Sequence, residues 1–181
     1  MFKSGGVFIF IVTTFQMTDK KYILSAEVAR KKMHRLAYEI VERNIGESRI
    51  ILAGIKGNGI IIAKKIKELL KDIFKGKIEV MQINIDKKFP KKITVHGEDD
   101  FDDAVIIVVD DVSNSGKTLL YALNPFLDFY PKKIQTLVLV ERSYKRFPVS
   151  PDYSGLSIST ALDEKIIVET KGDEITGARL E

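Results

Sequence analysis

No cysteine occurs among the 181 residues, so disulfides, thiolate nucleophiles and thiolate metal sites are all excluded. Histidine is scarce as well. The two present, His34 in a charged segment and His96 in a polar one, have no paired acid evident and cannot make a zinc ligand set by themselves. Nor is any apolar run long enough to cross a bilayer, the nearest being residues 7–12, VFIFIV, after Lys3. A secretory reading of that run lacks small residues at a cleavage site, because Thr13, Thr14, Phe15 and Gln16 lead instead to Met17 and charged sequence. Residues 1–16 are therefore read as an extension, with one domain spanning 17–181, no membrane association and a cytoplasmic setting.

What the chain does contain is ordinary for a folded domain. Hydrophobic residues make up 45% and charged residues 30%, enough apolar matter for one substantial core and far from the profile of disorder. The net charge of +4 suits an anionic ligand. It arises from 29 basic and 25 acidic residues scattered along the chain, which is compatible with RNA without implying it.

Apolar and polar residues alternate in long blocks. Val28, Met33, Leu36, Ala37, Ile40 and Val41 recur at helical spacing, predicting an amphipathic helix over 25–44 capped by Ser25. Residues 49–54 read as a buried strand, 59–74 as a second helix and 77–85 as another strand, packed through Ile78, Val80, Ile83 and Ile85. Residues 86–103, with Pro90, Gly97 and four lysines, read as a mobile loop. Residues 104–109 form the most strand-like run, followed by a predicted helix over 116–129 and a strand over 134–140. This alternation predicts an α/β fold with a parallel sheet flanked by helices and a ligand site beyond the carboxyl ends of its strands. The tail after Arg142, broken by Pro148, Pro151, Gly155 and Gly172, reads as a small C-terminal hood-like subdomain over the sheet edge, with its clearest strand at 165–168.

Chemistry concentrates in residues 105–120, VIIVVDDVSNSGKTLL. Asp110 and Asp111 end a buried strand, where adjacent carboxylates repel each other unless they face hydroxyls, a cation or solvent. Ribose hydroxyls and Mg2+ are suitable partners. The turn that follows, Ser113, Asn114, Ser115, Gly116, Lys117 and Thr118, opens a helix and offers amides and hydroxyls to a phosphate. One short segment can thus hold both ends of a ribose 5-phosphate. A Walker A loop shares Ser115-Gly116-Lys117-Thr118 but requires glycine where Asp111 stands. A dinucleotide fold lacks its G-x-G-x-x-G turn, since Gly54 to Gly59 has the wrong spacing.

The same segment resembles the phosphoribosyl-diphosphate motif of type I phosphoribosyltransferases: an apolar strand, two acids, a small loop and G-x-T. Flanking sequence extends the likeness to the pyrimidine-operon regulator and uracil phosphoribosyltransferase group. EIVERN at 39–44, LAGIKGNG at 52–59 and TLVLVERSYKRFPVSPDYSGLSIS at 136–159 carry it. The resemblance implies that Asp110 and Asp111 take the ribose hydroxyls, directly or through Mg2+, and that 113–118 bind the 5-phosphate. It implies that Ile55, Lys56, Gly57 and Asn58 form the diphosphate loop, with Lys56 as the cation and a non-proline cis peptide as a feature of that loop. Residues 86–103 would be a flexible hood that excludes water, with Lys87, Lys88, Lys91 and Lys92 reaching the diphosphate. Tyr153 and Leu156, within a base-site subdomain over 142–181, would wall the nucleobase, and the chain would pair as a homodimer.

The chain departs from that pattern at three places. Asn114 stands where the hypoxanthine-guanine enzymes carry an acid for the purine N7 proton, and an amide cannot serve as a general base. The pyrimidine group's tyrosine-arginine pair and diphosphate-loop arginine are replaced by lysines and Asn58, which lack a bidentate fork. Arg142, Ser143, Tyr144 and Lys145 replace an arginine-glycine-histidine-arginine run. Two functions follow from this: transfer of phosphoribosyl to a nucleobase, uracil before purines, or nucleotide sensing by a catalytically weak regulator that keeps the phosphoribosyl-diphosphate site. In the second, Arg30, Lys31, Lys32 and Arg35 are the candidate RNA contacts, although such a helix face is more often solvated.

Overall fold

The computed structural model describes residues 21–86, 93–96, 100–161 and 163–181; the extension over 1–16 and the four loop lysines lie outside them. Strand β1 (Lys21–Ser25) leads into helix α1 (Ala26–Arg43), whose first turn is capped by the Ser25 hydroxyl accepting from the Val28 amide at 3.3 Å. Ala29, Met33, Leu36, Ala37 and Ile40 are the buried stripe of that helix, while Val28 faces outward. Strand β2 (Arg49–Ile55), helix α2 (Asn58–Leu70), β3 (Lys77–Ile85), β4 (Ile93–His96) and β5 (Val105–Ser113) follow. Next come α3 (Lys117–Ala122), a 3-10 turn at Asn124–Phe126, β6 (Lys133–Arg142), β7 (Tyr153–Ile158), β8 (Ile166–Lys171) and β9 (Glu174–Leu180).

Six strands form the main sheet in the order β4-β3-β2-β5-β6-β7, parallel except for β4. Its centre is apolar on both faces, because successive side chains of β2 and β5 alternate between two packed layers. Ile50, Leu52, Val105, Ile107 and Val109 meet α1 and α2; Ile51, Ala53, Ile106 and Val108 meet Leu119, Ala122 and Phe126 on the other side. The α/β fold and its parallel sheet are therefore as the alternation predicts.

Four local expectations are corrected. The span 86–103 is not wholly loop: β4 pairs antiparallel with β3, Gln82 opposite His96 and Ile85 opposite Ile93. Within the same span Phe101 is buried edge-on against Phe126 and Phe129. Four residues are too few for their alternation to stand out beside so many lysines. The helix expected over 116–129 stops at Ala122, since Pro125 cannot donate an amide and biases Asn124 away from the α conformation. The hood-like tail expected from Arg142 onward does not start there: β7 runs parallel beside β6 and completes the main sheet. Finally, the second sheet, β1-β9-β8, recruits the unforeseen β1 from the other end of the chain, so it is not purely C-terminal.

Candidate active site

The carboxyl ends of β2, β5 and β6 converge where the topology of a parallel sheet places a ligand. Strand β5 extends through Asp110 and Asp111 to Ser113, so both acids sit on rigid backbone rather than in a turn. Asp110 is buried and accepts from the Asp111 amide at 3.0 Å; Asp111 is half-buried and accepts from the Val112 amide at 2.9 Å. Beside them α2 packs close. A Cβ on Gly59 would stand 2.6 Å from the Val109 carbonyl, so glycine there lets the helix start reach the acids.

That closeness brings in Asn58. Its side-chain amide donates to Asp111 Oδ2 at 2.8 Å and to the Val168 carbonyl of β8 at 3.0 Å, while the Thr170 hydroxyl donates to Asn58 Oδ1 at 3.3 Å. Ile55 is buried, whereas Lys56 and Gly57 are exposed and the Lys56 amide donates to the Ile83 carbonyl at 2.8 Å. The cis peptide expected in this loop does not occur; all peptide bonds of the described residues are trans.

The loop after β5 is shaped by backbone. Gly116 has φ +81°, and a Cβ there would come within 2.8 Å of the Val149 carbonyl. The Ser115 carbonyl accepts from the Arg146 and Phe147 amides at 3.1 and 3.0 Å, which fastens the loop to the segment after β6. Residues 112–119, including Ser113, Asn114, Ser115, Lys117 and Thr118, line a cleft of about 50 Å3. Because α3 has only six residues, its aligned dipoles are few and add little to the loop's own amides.

Sequence reasoning missed the role of the segment after β6. Lys145 Nζ lies 3.1 Å from the Ser113 hydroxyl, 3.3 Å from its carbonyl and 2.7 Å from the Arg142 carbonyl, and pairs with Glu141 at 3.0 Å. Arg142 is buried and donates to the Ala161 and Glu164 carbonyls. An i,i+4 glutamate-lysine pair at the end of a strand was the available signal. A cavity of about 250 Å3 opens beside the loop, lined by Asn114, Ser115, Arg142, Tyr144 and Arg146.

Tyr153 and Leu156, the expected walls of a base pocket, are elsewhere. Tyr153 opens β7 at its amino end, fully buried, with its hydroxyl donating to Gln135 at 3.1 Å and accepting from Asn44 at 3.2 Å. Burial pushes its phenol above the ordinary value, against the opposing hydrogen bond from Asn44. Leu156 pairs with Val140 and packs on the α1 side of the core. β7, expected within the base-site subdomain, is instead a strand of the main sheet. A larger cavity, about 580 Å3 between α1, α2 and β9, shares no residue with the motif loop.

Residues 21–174 match the phosphoribosyl transferase domain, and the chain belongs to that family: it is a phosphoribosyltransferase. Among curated proteins it is similar to the bifunctional protein pyrR of Enterococcus faecalis, 35% identical over 159 residues, covering 83% of this chain and 89% of that one. The bifunctional protein PyrR of Bacillus velezensis is also 35% identical, covering 84% of this chain and 91% of its own. Among solved structures, the hypoxanthine phosphoribosyltransferase of Trypanosoma cruzi superposes with a TM-score of 0.72 at 17% identity, covering 89% of this chain and 97% of that one. That of Staphylococcus aureus gives 0.66 at 11% identity, covering 81% of each. These two share the fold.

Proposed function

We propose that the chain transfers the 5-phosphoribosyl group of phosphoribosyl diphosphate to uracil, in the cytoplasm and as a homodimer. The observation that carries the acceptor is Asn114, exposed at the junction of the phosphate cleft and the 250 Å3 cavity. A neutral amide there can donate to a pyrimidine carbonyl or accept from its N–H, but cannot take the N7 proton of a purine. Arg142 and Tyr144, on the same cavity, supply donors for the base carbonyls.

In the reaction, the bond from ribose C1 to diphosphate breaks with its electron pair leaving on diphosphate, N1 of uracil bonds to C1, and the N1 proton passes to solvent. The 113–118 loop holds the 5-phosphate by backbone amides and hydroxyls, so the sugar is fixed while C1 moves toward the base. Asp110 and Asp111 receive the ribose hydroxyls. Lys56, exposed beside the same site, meets the leaving charge.

The donor set also suits Mg2+. Among the described residues no three acids or histidines cluster, and Mg2+ characteristically takes one or two carboxylates with substrate oxygens and water completing its octahedron. Asp110 and Asp111 are those carboxylates. When bound there, the ion would neutralise diphosphate as it departs.

Incubating the protein with phosphoribosyl diphosphate, Mg2+ and uracil, hypoxanthine or guanine tests the reading. Diphosphate release is expected with uracil first. Faster release with hypoxanthine would overturn the acceptor, and release with none would overturn turnover. A second reading is a nucleotide-sensing RNA-binding regulator; the similar proteins are named bifunctional, which fits a second role of some kind beside transfer. The candidate helix cations support it less, because Lys31 is paired with Glu27 at 2.7 Å and Arg35 is held by Glu39 and the carbonyls of Ser154 and Gly155. Binding of RNA that weakens with salt and responds to uridine monophosphate would support it; no binding at low salt would exclude it.

A further inference from the structure

We infer that Asn58 is a positioning residue: it aims the Asp111 carboxylate at the ribose and ties that aim to the second sheet. The inference rests on the ribose 5-phosphate reading of the site. Sequence likeness had placed Asn58 in the diphosphate loop as a ligand contact, but its side chain is engaged by Asp111, Val168 and Thr170. Nδ2 donates at once to Asp111 Oδ2 at 2.8 Å and to the Val168 carbonyl at 3.0 Å, and Oδ1 accepts the Thr170 hydroxyl at 3.3 Å. The amide can have only this orientation, since the reverse would set Oδ1 against a carboxylate and a carbonyl.

Three elements therefore meet on one neutral group: the start of α2, the end of β5 and strand β8. With Oδ1 of Asp111 held by the Val112 amide at 2.9 Å and Oδ2 by Asn58, the carboxylate plane is fixed at both oxygens. Each oxygen keeps a further lone pair for a hydroxyl. Neutrality matters here, because a cation in this place would compete with the ligand for the charge of Asp111, whereas an amide orients that charge and leaves it whole. The bond to Val168 makes the ribose acid sensitive to the seating of β8, although β8 holds no acid of its own in the site.

The experiment is calorimetric titration of the full chain and its variants with two probes, ribose 5-phosphate without metal and inorganic diphosphate with Mg2+. Asn58→Ala is expected to weaken ribose 5-phosphate about tenfold, the scale of one hydrogen bond to a charged group, and diphosphate by less than about twofold. Asn58→Asp keeps the shape but turns a donor into an acceptor facing Asp111, so it should weaken ribose 5-phosphate more than Asn58→Ala does. A space-filling role predicts the opposite order. Thr170→Val, which removes only the donor to Oδ1, should weaken ribose 5-phosphate about threefold at an unchanged melting temperature, and so keeps the test open if Asn58→Asp does not fold. Equal loss of both probes, or Asn58→Ala binding like the parent, overturns the inference and leaves the site reading intact. If the parent chain itself does not bind ribose 5-phosphate, the site reading falls and the inference with it.

Discussion

The proposed sugar end and the proposed phosphate end of the β5 motif are held by opposite means. At the sugar end the working groups are side chains on a rigid strand, Asp110 and Asp111, steadied by neutral donors: two backbone amides and Asn58. At the proposed phosphate end the groups offered are those of the loop backbone, steadied by a charge, since Lys145 grips the Ser113 carbonyl and hydroxyl while Glu141 balances it. Each arrangement suits the ligand proposed for it. A sugar or cation needs negative charge presented undiminished, and a phosphate needs donors without a nearby carboxylate pointing at it. The largest consequence is that side-chain chemistry at the sugar end should be replaceable without loss of fold. Asp110→Asn with Asp111→Asn is expected to lower kcat/KM about a thousandfold, ~4 kcal/mol of transition-state stabilisation, at a melting temperature near the parent's. Unfolding of that double variant would break the contrast.

At the phosphate end the reverse should hold, with conformation and function failing together. Gly116→Val places a branched side chain at φ +81° and within 2.8 Å of the Val149 carbonyl. A loss of about 2–4 kcal/mol in denaturant unfolding is expected, with 5-phosphate affinity lost in the folded fraction. A stable Gly116→Val protein that still bound ribose 5-phosphate would show that the loop's shape matters less than its hydroxyls.

The charge beneath the loop gives a smaller effect. Lys145→Met strands Glu141, whose side chain is only 15% exposed, and should cost about 1–3 kcal/mol of stability. Adding Glu141→Gln should restore most of the stability but not the affinity for the 5-phosphate, because the clamp on Ser113 stays missing. Recovery of both would reduce Lys145 to a partner of Glu141 alone.

The same contrast decides what was legible in the sequence. Backbone-driven features were plain: the apolar run of β5, the glycine and small residues of its loop, and the capped periodicity of α1 each write a local pattern. The place of Asp110 and Asp111 at the end of a buried strand was legible because an unbroken apolar run stops at two acids. Asn58, Lys145 and Tyr153 were not, because each touches residues of elements 18 to 110 positions away. β7 was misread for a related reason, since only its parallel pairing with β6 distinguishes it from a tail broken by prolines.

The smallest effect belongs at the amino ends of the strands, where charges should matter to stability alone. Glu47, in the turn between α1 and β2, meets Lys132 and Lys133, each at 3.1 Å. Hydrogen bonds from Lys133 and then Lys132 hold its carboxyl below the ordinary glutamate value. A carboxyl depressed in the folded state stabilises the fold above its unfolded pKa of about 4.3, and loses that contribution as pH falls through the lower folded value. Glu47→Gln should therefore lower the melting temperature slightly at pH 7, with the difference from the parent shrinking below about pH 4.3 and closing in stronger acid. Turnover per folded molecule should not change, because none of these groups reaches the carboxyl ends where Asp110, Asp111 and the 113–118 loop sit. A change in kcat/KM at unchanged folded fraction would mean that the two ends of the sheet are coupled, and that the division between structural and ligand-facing charge does not hold in this chain.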